Sequence, residues 1–121
     1  MSALLWAGVV LIGGAGAVAR FLVDGAVSAR TDRPFPLGTL AVNLSGACLL
    51  GLLAGLALDH DRALLAGTAA VGSYTTFSTW MLETHRLGEE WGPAPLAANL
   101  VVSGALGILA AAAGRALGGL L

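Results

Sequence analysis

The chain has 121 residues, 57% of them hydrophobic and only 11% charged, with a formal net charge of −1. Soluble domains run at about 45–50% apolar and about 25% charged, so this composition argues against a water-soluble fold. The near-neutral charge gives no support for nucleic-acid binding.

Four apolar stretches, 3–23, 37–58, 63–82 and 94–114, account for most of the chain. Each is near the roughly 20 residues needed to cross about 30 Å of hydrocarbon. The expected fold is one all-α domain, 1–121, of four transmembrane helices in a plasma or inner membrane.

The first stretch starts almost at Met1 without a positive flank and is followed by three more, so it reads as a membrane span rather than a cleaved signal peptide. Gly8, Ile12, Gly16 and Arg20 share one of its faces. Inside lipid, helices gain nothing from the hydrophobic effect between one another, and small residues that admit close backbone approach take its place. Arg30, Asp32 and Arg33 precede Pro34-Phe35-Pro36 and cap the first connection with charge.

The second stretch carries Thr39, Asn43, Ala47, Gly51 and Gly55 at intervals of four, a small-residue stripe with an asparagine in it. The amide of Asn43 brings donors and an acceptor that must be satisfied in mid-span. Interhelical hydrogen bonding and pore lining both answer that need. Cys48 is the only cysteine, so no intrachain disulfide forms, and its expected role is packing. With two histidines in separate loops, a metal cluster of the usual ligand spacing is not expected.

Asp59-His60-Asp61-Arg62 leads into the third stretch, whose residues 72–80 form a hydroxyl-rich run from Gly72 to Trp80. Unsatisfied polar groups cost several kcal/mol in hydrocarbon, so such a run must face other helices or a hydrated cavity. Gly72, Thr75 and Thr76 lower helix propensity there, and two outcomes follow. The helix breaks and frees carbonyl oxygens for a hard cation, or it stays intact with its threonines bonded back to the preceding turn.

Glu83 to Glu90, with His85 and Arg86, forms the last connection; His85 reads as a solvated loop residue. The fourth stretch repeats the polar stripe with Asn99, Ser103, Gly107 and Ala111. Arginines divide weakly between the two sides, Arg30, Arg33 and Arg86 against Arg62 and Arg115, and there is no lysine. So small a bias leaves insertion orientation almost free.

Three ordered motifs carry a resemblance: Gly13-Gly14-Ala15-Gly16-Ala17-Val18-Ala19-Arg20; Phe35-Pro36-Leu37-Gly38-Thr39-Leu40 followed by Asn43-Leu44-Ser45-Gly46; and Gly72 with Thr75-Thr76-Phe77-Ser78-Thr79. With them the chain resembles, over nearly its whole length, the Fluc fluoride channels, also called CrcB proteins. The resemblance implies an antiparallel, dual-topology dimer with a broken third helix and two narrow fluoride pathways. It implies a structural Na⁺ on the twofold axis, held by the backbone carbonyls of Gly72 and Thr75 of both subunits. Phe77 matches the first of two pore phenylalanines, Asn43 the pore asparagine and Arg20 the vestibule arginine. Ser78 and Thr79 lie near the pore, and Asn99 and Ser103 form the fourth-span polar track.

The chain departs from the family at Trp80, where a second pore phenylalanine is usual, and at Asn99, where tyrosine is. Cys48 replaces a common phenylalanine.

The implied activity is passive export of cytoplasmic fluoride, relieving its toxicity, with no enzymatic step. The partners are a second copy or a paralogous subunit. Two other readings compete with it. One is a non-conducting or partly conducting subunit of a heterodimer. The other is a small proton-coupled exporter, which needs a central carboxylate, whereas Asp24 and Glu83 lie at span ends.

Overall fold

The computed structural model describes all 121 residues and is helical throughout. Helices α1 (Ala3–Ser28), α2 (Leu37–Leu56) and α6 (Pro93–Leu120) are long and apolar enough to cross a membrane. Between α2 and α6 the chain is built from pieces: α3 (His60–Ala63), a π-helical stretch (Leu64–Val71), a last turn α4 (Gly72–Tyr74), and α5 (Ser78–Trp91).

Helix ends follow local chemistry. The Ser2 hydroxyl accepts from the Leu5 amide at the start of α1, and Asp59 does the same for the Arg62 amide at α3. Ala57 closes α2 in the left-handed region, at φ 52°, a conformation that costs a non-glycine residue about 1–2 kcal/mol. Pro93 and Pro95 open α6 in its first turn, where missing amide donors cost nothing.

The helices at both chain ends exceed the expected spans, running to Ser28 and to Leu120. The largest departure is the π-helical stretch, in which the Gly72 amide reaches back five residues to the Gly67 carbonyl.

Packing is tightest between α2 and α6. A Cβ on Gly51 would overlap the Ala111 carbonyl, and one on Gly114 would overlap the Cys48 carbonyl. The two backbones touch, as small-residue faces allow in lipid. The α2 stripe is thus divided by depth: Gly51 and Gly55 meet α6, while Asn43 and Thr39 bond to residues of the interrupted segment. On the other side α1 packs against the π-helical stretch, with Gly16 seated on Ala70 and Ser73.

Candidate functional site

Helical structure stops at Thr75, whose backbone is extended at φ −78° and ψ 161°. In an unbroken helix the Thr76 amide would donate to the Gly72 carbonyl. It donates instead to Asn43 Oδ1 at 2.8 Å, and Asn43 Nδ2 donates to the Thr76 carbonyl, also at 2.8 Å. One amide side chain satisfies both polar groups of the residue at the gap. The Thr76 hydroxyl then accepts from the Thr79 amide at 3.1 Å, capping α5, and donates to Thr79 Oγ1 at 3.0 Å.

Of the two outcomes expected for this run the helix breaks, and back-bonding is confined to the residues just before the gap. Ser73 and Thr75 bond back to the Ala69 and Val71 carbonyls, at 2.6 and 3.1 Å, while Thr76 turns away into the break. The carbonyl oxygens of Gly72 and Thr75 are left without a hydrogen bond. Gly72 is exposed and Thr75 half-buried.

Two cavities meet at Thr76. One, of about 200 Å³, holds Arg20 and Asp24 of α1, Thr39 of α2, and Thr79. The other, of about 410 Å³, holds Asn43, Thr75, Phe77, Trp80 and Ser103. Thr76 lines both, so the backbone unit clamped by Asn43 is the partition between a charged compartment and a largely apolar one.

Phe77 stands 69% exposed beside that partition. Its ring meets the Trp80 indole edge to face, with centroids 5.8 Å apart and planes at 90°. The indole N–H is not free, since it donates to the Asn99 main-chain carbonyl at 3.1 Å.

Structure brings Asn43, Phe77, Trp80 and Ser103 to one cavity and Arg20 and Thr79 to its neighbour. Ser78 is exposed at the start of α5, with only a long contact to the Thr76 hydroxyl at 3.4 Å. Asn99 is 1% exposed and lines neither cavity. Its Nδ2 donates to Thr84 Oγ1 at 2.7 Å, and its Oδ1 accepts from Ser103 Oγ at 3.1 Å.

Two further residues belong to the site and escape a sequence reading. Thr84, buried, has no mark beyond standing one turn after Trp80. Glu83 receives the hydroxyl hydrogen of buried Thr39, which lines the Arg20 cavity, and so joins α5 to α2. Burial pushes the Glu83 carboxyl above its ordinary range, against the opposing pull of the Thr39 hydrogen bond.

Comparison with known proteins identifies the surroundings of this arrangement. Residues 7–115 match the family described as CrcB-like protein, Camphor Resistance (CrcB). The chain is 66% identical over 113 residues to "Fluoride-specific ion channel FluC 2" of Mycolicibacterium paratuberculosis, covering 93% of each. It is 60% identical to the protein of that name from Mycobacterium bovis, over 95% of this chain and 91% of the relative. A more distant relative, "Fluoride-specific ion channel FluC 1" of Rubrobacter xylanophilus, is 47% identical over 87% of this chain and 86% of its own. With three membrane-length apolar helices, the chain is a multi-pass membrane protein, and on these matches it belongs to the CrcB-like family.

Proposed function

We propose that the chain is a channel subunit rather than an enzyme, and that it passes fluoride out of the cytoplasm across the plasma membrane, down its electrochemical gradient. The observation that carries this reading is the break at Thr76, clamped by Asn43 and opening beside Phe77.

Fluoride is small and strongly hydrated, so a pathway must replace its water with fixed donors. Arg20 raises the anion concentration in the outer cavity. The hydroxyl hydrogen of Thr79 and the second Nδ2 hydrogen of Asn43 provide donors, while that of Ser103 is committed to Asn99 Oδ1. The edge of Phe77, the positive rim of its quadrupole, can accompany an anion that has shed its water. With the cell interior negative, outward movement of an anion gains about 2.3 kcal/mol per 100 mV and needs no coupled energy source.

A dimer completes the reading. Phe77 and Gly72 are exposed and Thr75 is half-buried, and an antiparallel second subunit would cover them together with the unbonded carbonyls of Gly72 and Thr75. Backbone carbonyls without hydrogen-bond donors suit a hard monovalent cation, so Gly72 and Thr75 of two subunits would hold Na⁺. Bound there, the ion supplies positive charge at the centre of the assembly.

The test is fluoride efflux from liposomes containing the singly expressed, purified chain. Rapid fluoride efflux with chloride retained is expected, and Phe77→Ile should abolish it. Comparable chloride flux would overturn the proposal. Relatives named both FluC 1 and FluC 2 support a second reading, a heterodimer with a paralogue. Efflux that appears only on co-expression of such a paralogue would favour it.

A further inference from the structure

Trp80, Asn99 and Thr84 form a closed circuit of hydrogen bonds between α5 and α6. The Trp80 indole N–H donates to the Asn99 main-chain carbonyl at 3.1 Å. The Asn99 side-chain amide donates to the Thr84 hydroxyl at 2.7 Å, and that hydroxyl donates back to the Trp80 main-chain carbonyl at 2.7 Å. Asn99 is 1% and Thr84 5% exposed, so neither exchanges these partners for water. The far end of the indole faces Gly104, where an added Cβ would come within 3.8 Å of the ring.

We propose that Asn99 and Thr84 are positioning residues, which fix the Trp80 ring as a wall of the conduction cavity and turn its N–H away from the anion. This rests on the channel reading above. An indole N–H facing the cavity would be a fixed donor, binding fluoride in place rather than letting it pass. Committed to the Asn99 carbonyl, it leaves only ring carbon toward Phe77, at a right angle and 5.8 Å between centroids. A tryptophan is thereby made to present the chemistry of a phenylalanine. Ser103, whose hydroxyl donates to Asn99 Oδ1 while it lines the cavity, joins the circuit to the pathway.

Thr84→Val removes the hydroxyl at nearly constant shape, and Thr84→Ser restores it. In a background of Trp6→Phe and Trp91→Phe, which leaves Trp80 as the only indole, fluorescence anisotropy reads ring mobility and liposome efflux reads function. The expected result for Thr84→Val is greater ring mobility and a fluoride rate reduced roughly tenfold, the kinetic equivalent of one hydrogen bond's energy. Thr84→Ser should recover both. Unchanged anisotropy in folded Thr84→Val, or altered anisotropy at an unchanged rate, would overturn the proposal.

Should Thr84→Val fail to fold, benzothienylalanine at position 80 replaces the N–H by sulfur, removes the bond that anchors the ring to Asn99 and should lower the rate through ring mobility; a wild-type rate there would also overturn it. Were the parent chain itself to pass no fluoride, the channel reading would fail separately. The anisotropy pair would still decide whether the circuit holds the ring.

Discussion

Glu83 lies one residue beyond the third apolar stretch and is bonded to Thr39, which lines the Arg20 cavity. Burial raises its carboxyl above the ordinary range; the Thr39 hydrogen bond opposes this, Asp24 adds to it and Arg86 opposes it. The folded protein therefore holds this proton more tightly than the unfolded chain does. Stability from this group is greatest below the unfolded pKa and falls as pH rises from there through the folded one. Thermal unfolding in detergent across mildly acidic to neutral pH should show that decline, and Glu83→Gln should flatten it. A slope unchanged in Glu83→Gln would assign the effect to another group. His85, on the next turn, pairs with Glu89 at 2.8 Å on an exposed face, where such a pair contributes about 0–1 kcal/mol.

Among the elements, α2 and α6 are held by backbone contact rather than by large side chains. A side chain at Gly51 has no rotamer that escapes, because its Cβ itself meets the Ala111 carbonyl. Gly51→Val should thus cost about 3 kcal/mol, the upper end for overpacking, read as a lowered denaturation midpoint in detergent. Gly25 of α1 has open space around it, and Gly25→Ala should instead stabilise by about 0.5–1 kcal/mol through helix propensity. Equal effects at the two sites would deny that the α2–α6 contact organises the fold. This contact was half legible beforehand. Spacing of four marked Gly51 and Gly55, but the α6 residues that receive them are Ala111, Arg115, Gly118 and Gly119, and only Ala111 lies on the stripe read there. Long apolar runs made α1, α2 and α6 readable, and Thr75-Thr76 announced the interruption. The π-helical register was not readable, because small residues such as Gly67, Ala69 and Ala70 accept either winding and packing on α1 decides. Asn43 allowed two roles in sequence; it forms the interhelical bond and also borders the cavity. Thr84 was hidden because its importance comes from Asn99, 15 residues away on another helix.

At the scale of the whole molecule, the chain leaves exposed a face that the proposed dimer would cover. Phe77 is 69% exposed, Gly72 is exposed and Thr75 half-buried, and the carbonyl oxygens of the latter two have no hydrogen bond. Closing that face with an identical chain of opposite orientation requires copies inserted both ways. The arginine distribution permits this, since three on one side against two on the other sets no firm direction. The antiparallel proposal can be read directly from loop accessibility. In a Cys48→Ala background, Asp61→Cys and Glu89→Cys place single thiols in exposed connections expected on opposite sides of the membrane. With a membrane-impermeant maleimide added from outside, each variant should label to about half, because dual insertion puts equal numbers of either loop on each face. Complete labelling of one variant and none of the other would mean a single orientation. A homodimer of this chain would then be parallel, and the antiparallel assembly would require a differently oriented paralogue.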